Sequence, residues 1–126
     1  MRILSAVAYA ALLALATPAI ADPAQTAKAK NNETVLQAPD GRSLYVFDDD
    51  KPGMSNCAGE CLKLWPPFLV SGSEKPMGDW SAIDREDGQK QWAYKGRPLY
   101  LFARDTQPGQ TEGNSFNGNK WHLAKA

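Results

Sequence analysis

Gly41-Arg42-Ser43-Leu44-Tyr45-Val46-Phe47-Asp48-Asp49-Asp50 returns later in the same chain as Gly96-Arg97-Pro98-Leu99-Tyr100-Leu101-Phe102-Ala103-Arg104-Asp105. Six of the ten positions are identical, and the offset is 55 throughout. A repeat at this spacing points to two related half-units. Each copy opens on Gly-Arg, a pair suited to a tight hairpin turn because glycine tolerates positive φ. Each continues as a short apolar run rich in strand formers. Alternation along a strand puts Tyr45 and Phe47 on one face and Leu44 and Val46 on the other. Tyr100 and Phe102 part from Leu99 and Leu101 in the same way. A strand that is apolar on both faces belongs in the middle of a domain, covered on both sides. Asp50 and Asp105 then precede Pro52-Gly53 and Pro108-Gly109, where each carboxylate is expected to bond the backbone of its own loop as an Asx-type turn.

Outward from the repeat, Thr34 to Ala38 reads as a strand and Pro39 to Arg42 as the turn that follows it. Residues 57–65 suit a short helix stopped by Pro66-Pro67. Residues 80–83, 90–94, 98–103 and 121–124 read as strands, with Asp87-Gly88 as a hairpin signal. The Gly-, Asn-, Ser- and Thr-rich stretch 107–120 reads as a loop. A Trp closes each half, Trp65 and Trp121. The expected fold is mainly β: a small antiparallel domain of two half-repeats, with units starting near 41 and 96 and one short helix.

The motif and its surroundings resemble a known family. Tyr45 to Asp50 and Tyr100 to Asp105 fit the Tyr-x-aromatic-x-x-Asp signature of a bacterial secreted-repeat or predicted-lipoprotein family. Cys57-Ala58-Gly59-Glu60-Cys61 followed by Trp65-Pro66-Pro67, the run Gln91 to Tyr100, and the closing Trp121-His122-Leu123-Ala124-Lys125 also look like that family. The resemblance spans roughly residues 35–125. It implies an envelope or secreted location and no established activity. Members named as lipoproteins carry an acylated cysteine, whereas the first cysteine here is Cys57.

The N-terminus reads as an export signal. Arg2 precedes an apolar run from Ile3 to Ala16, and Ala19-Ile20-Ala21 offers a small-x-small cleavage site before Asp22. The run is shorter than a membrane span needs. The expected order is a signal peptide at 1–21, a flexible polar lead-in at 22–33 outside the core, and one domain at 34–126, periplasmic or secreted. Without Arg2, the 14 Lys and Arg of the chain become 13 against 14 acidic residues, with no concentrated basic face. Nucleic acid is therefore not expected as a partner, and neither is a membrane span in the mature chain.

Four residue groups carry possible chemistry. Cys57 and Cys61 are the two cysteines, and in an oxidising compartment they most simply form a disulfide. With Met54 and the single histidine, His122, they make the alternative set for a soft metal, copper above all, or for redox stress. Asp48-Asp49-Asp50 lacks the spacing of a calcium loop and reads as turn capping. The aromatics, Tyr45, Phe47, Tyr100 and Phe102 among them, read mostly as core, with a repeated aromatic face as the candidate for binding. No Gly-x-Ser-x-Gly elbow and no phosphate loop occurs. The functional expectation is an exported, non-enzymatic binding or structural module without a cofactor, its partner an envelope protein or a small ligand.

Overall fold

The computed structural model describes residues 22–126; the expected signal peptide lies outside them. The chain runs β1 (Gln25–Lys28), β2 (Thr34–Gln37), β3 (Tyr45–Phe47), α1 (Cys61–Leu64), β4 (Trp80–Asp84), β5 (Lys90–Tyr94), β6 (Arg97–Pro98), α2 (Phe116–Asn119) and β7 (Trp121–Leu123). All strand pairs are antiparallel, in sheets ordered β1-β2, β3-β7 and β4-β5-β6. The mainly β fold of two half-repeats is present.

Three readings are corrected. Residues 22–33 are not a lead-in outside the core: β1 pairs with β2 from Gln25–Gln37 to Lys28–Thr34, and Ala24 and Ala29 are buried. Their small side chains carry little apolar signal in the sequence, yet they are buried against the core. The loop at 107–120 contains a second helical turn, α2, interrupted by left-handed Asn117 and Gly118. The first helix is one turn, 61–64, rather than 57–65, because Gly59 sits at φ 60° and Trp65 leaves helical geometry.

The two halves are interlocked. At the centre Tyr45 and Tyr100 exchange backbone hydrogen bonds, N–H to carbonyl in both directions, at 2.9 and 3.0 Å. β3 pairs with β7 of the second half. Its counterpart around Tyr100 and Leu101 pairs with Pro66 to Phe68 of the first half. Bonds recur in matched pairs about this pseudo-dyad. Asp48 N–H reaches the Lys120 carbonyl as Ala103 N–H reaches Leu64. Leu36 N–H reaches Ala124 as Trp92 N–H reaches Phe68. Outside the motif the matching residues lie 56 apart, because each half has one loop a residue longer than its counterpart.

The alternation read from the motif sorts the core into two layers. Leu44, Val46, Leu99 and Leu101 join Leu36, Trp80 and Trp92 on one side. Tyr45, Tyr100 and Phe102 join Trp65, Trp121 and Leu123 on the other. The two half-closing tryptophans stack on each other, centroids 3.8 Å apart and planes 3° apart. Tyr45 meets Trp65 edge-on at 5.2 Å, and Tyr100 meets Trp121 edge-on at 5.0 Å. Such pairs add roughly 0.5–1.5 kcal/mol each beyond their burial.

Candidate functional site

The repeated motif is a cross-brace. The Tyr45 hydroxyl donates to a carboxylate oxygen of Asp105, in the other half. The Tyr100 hydroxyl donates to Asp50 at 2.7 Å, again across the dyad. The second oxygen of each carboxylate accepts a backbone N–H of its own loop, Asn56 at 2.6 Å for Asp50 and Glu112 at 3.0 Å for Asp105. The expected loop-capping role is therefore half of the arrangement, and the loop bond falls farther along the chain than an Asx turn. Burial raises both tyrosines far above their ordinary range, and the facing carboxylates add to it. Burial also raises Asp50 and Asp105, outweighing the tyrosine hydrogen bonds that act the other way. Tyr45, Tyr100 and Phe102 are buried and Phe47 is half-buried against Trp121, so the motif presents no open aromatic face.

The soft-metal set is dispersed. The sulfurs of Cys57 and Cys61 stand at disulfide distance, 2.08 Å. His122 lies on β7, its Nε2 2.8 Å from an Asp48 carboxylate oxygen. Met54 stands outward, 53 % exposed. Among the described residues no three His, Cys, Asp or Glu side chains converge as metal ligands would.

The dyad also works as an internal control, because a departure from it marks what one half has and the other lacks. In each half a hairpin turn faces the Pro-Gly loop of the opposite half. On one side the two are closed together: Lys30 N–H donates to the Gly109 carbonyl at 2.8 Å. A Cβ placed on Gly109 would lie 3.5 Å from Lys30 Cγ. On the other side the counterparts are Glu86 and Gly53, and no bond joins them. A Cβ on Gly53 would meet nothing within 4 Å. Between them lies a groove of about 570 Å³. The loop from Gly53 to Gly59 and Leu62 form one wall, and Ile83 to Asp87 form the other.

The cause is legible in two substitutions between the halves. Ala29 and Val35, apolar and buried on the closed side, correspond to Arg85 and Gln91 on the open one. The Arg85 side chain is only 8 % exposed. Its Nη1 donates to Gln91 Oε1 at 2.5 Å and to Ser55 Oγ at 3.3 Å. Its Nη2 donates to the Cys57 carbonyl at 3.2 Å. Gln91 in turn donates to the Leu99 carbonyl at 2.7 Å. Ser55 Oγ lies 2.5 Å from the Tyr100 hydroxyl, so the chain of polar groups runs from the groove to the central cross-brace and Asp50. The Arg85 guanidinium lies between the hairpin and the Cys57 loop and bonds to that loop, whereas at the corresponding place Ala29 leaves the opposite loop in direct backbone contact. Arg85 Nε is buried without a hydrogen-bond partner, its nearest carboxylate, Asp87, being 3.9 Å away.

Arg85, Gln91, Ser55 and Asn56 do not stand out in the sequence. The signal that finds them is the comparison of the two halves beyond the motif, at the 56-residue offset, where Ala29 against Arg85 and Val35 against Gln91 are changes of chemical class. A family model described as a secreted repeat of unknown function matches residues 26–68 and 81–125, the two halves. No curated protein and no solved structure matches. Among the described residues no helix is long and apolar enough to cross a membrane.

Proposed function

The chain belongs to the family of secreted repeats of unknown function, and from that premise we propose that it is an exported, non-enzymatic binding module whose ligand site is the groove between Gly53–Gly59 and Ile83–Asp87. The observation that carries this reading is the broken dyad: two half-repeats that share the cross-brace and the matched backbone pairs described above differ here by an opened contact and a buried arginine. Burying a charge is costly unless it is well partnered. A purely architectural position needs no such group, as Ala29 demonstrates at the corresponding place. The apolar parts of the wall, Met54, Ala58, Leu62 and Ile83, alternate with polar groups, the mixture that binding grooves use. The cross-brace, the stacked tryptophans and the Cys57–Cys61 link serve as the frame that holds the two walls.

Amide chemical-shift mapping with a library of small fragments tests this. The hits are expected to move residues 53–59 and 83–87 and to leave the dyad-related positions, 27–31 and 109–115, unmoved. Equal responses in both halves, or hits confined to other surfaces, would refute the assignment.

A further inference from the structure

We propose that the occupant of this groove is an extended peptide segment of a partner protein, with apolar side chains alternating with basic ones. The inference rests on the reading of the groove as a binding site. Its first support is the backbone pair left open. On the closed side an N–H and a carbonyl satisfy each other, Lys30 to Gly109. On the open side the Glu86 N–H and the Gly53 carbonyl flank the gap without bonding each other. An inserted peptide group offers a carbonyl to the first and an N–H to the second. Main-chain pairing of this kind is how exposed backbone edges take up extended segments.

The second support is the lining. Met54, the large apolar side chain left exposed among the described residues, stands with Leu62 and Ile83 beside the gap. Asp84, Glu86 and Asp87, all exposed, line the wall that carries Ile83, facing Met54 and Leu62. The cation of the groove, Arg85, is buried and turned inward onto Ser55, Gln91 and the Cys57 carbonyl. A ligand in the groove therefore meets a carboxylate rim over an apolar wall, which favours ammonium or guanidinium groups on an apolar backbone neighbour. The third support is Arg85 Nε, a donor in this wall without an acceptor. Asp87, 3.9 Å away, supplies one when a bound ligand turns its carboxylate inward.

The probes are blocked six-residue peptides, one alternating lysine and leucine and one alternating glutamate and leucine, with a neutral glucose hexasaccharide in parallel. They are titrated into the ¹⁵N-labelled protein as the cell exports it. The lysine peptide is expected to shift the amides of 53–59 and 83–87, Glu86 included, and to bind roughly tenfold more tightly than the glutamate peptide, about the effect of three exposed charge pairs. The variant Asp84→Asn/Glu86→Gln/Asp87→Asn, its spectrum otherwise unchanged, is expected to lose that preference. Equal binding of both peptides, a preference that survives neutralisation, or shifts from the hexasaccharide alone would overturn the basic-peptide assignment. If library fragments still map to the groove in that case, the binding-module reading stands and only its ligand class fails. If nothing maps there, both fail.

Discussion

Tyr45 and Tyr100 hold equivalent carboxylates in unequal surroundings. Asp105 is 4 % exposed, while Asp50 is half-buried beside the groove. Removing the tyrosine hydroxyl leaves a buried acceptor unpaired, which costs roughly 1–3 kcal/mol, more where water cannot replace it. Tyr45→Phe is therefore expected to lower unfolding stability by about 2 kcal/mol and Tyr100→Phe by less, as measured by denaturant titration. The same carboxylates set a pH dependence. Both are raised above the ordinary 3.8, burial being the chief cause. In the window just above 3.8 the native protein holds protons that the unfolded chain has released. These two groups therefore add stability as pH falls through that window, and their cost is fully present above their native values. The stability gap between the natural chain and Asp50→Asn/Asp105→Asn is expected to widen, in favour of the natural chain, from neutral pH towards about pH 4. A gap that stays constant would count against raised values.

The Pro-Gly loops show the two halves solving one packing problem differently. Cys57 and Gly113 occupy corresponding places in those loops, both against the stacked tryptophan layer. In the first half Cys57 is tied to Cys61 and packs in the layer. In the second half the backbone itself approaches: a Cβ on Gly113 would lie 2.5 Å from Trp65 Cη2 and 3.0 Å from Phe102 Cγ. Phe116 then fills the flank, 5.9 Å from Trp65 and 5.4 Å from Phe102. Gly113→Ala is accordingly expected to destabilise by roughly 1–3 kcal/mol through overpacking, despite being the smallest possible enlargement. Opening Cys57–Cys61 frees a loop of only 4 residues separation and is expected to cost about 2 kcal/mol. Thermal melts with and without reductant read this directly; an unchanged midpoint would mean that packing alone holds the loop.

At the scale of the whole molecule, neither half owns its own core. Each motif tyrosine is anchored by the other half's aspartate, and each motif segment pairs with the chain at or just after the other half's tryptophan. The cross-half pairs Tyr45–Leu123 and Phe47–Trp121 join residues far apart in sequence, so ordering them demands closure of most of the chain. One cooperative transition is expected, with tryptophan fluorescence and far-ultraviolet circular dichroism superimposing. A fragment ending near residue 72 should remain unfolded on its own. Separate transitions, or a folded fragment, would show that the halves are independent.

The local pattern of the motif was enough to determine the β character, the two-sided alternation of its buried side chains, the Gly41 and Gly96 turns and the presence of two related halves, because period-two alternation and turn chemistry act over a few residues. Of the strand expected at 98–103, only Arg97–Pro98 and bridges at Tyr100 form. Gly41 shows how far that reaches: it sits at φ 88°, and a Cβ there would also lie 2.8 Å from Pro108 Cβ, a contact no local pattern reveals. The choice of partner was decided only in the folded molecule. Asp50 and Asp105 look alike beside their own loops, and only the packing of one half on the other gives each the distant tyrosine. The Ala29–Arg85 exchange is visible in the letters, but its meaning depends on reach. Only the folded molecule shows that Arg85 lies between the hairpin and the Cys57 loop, beside a groove that no motif in the sequence marks.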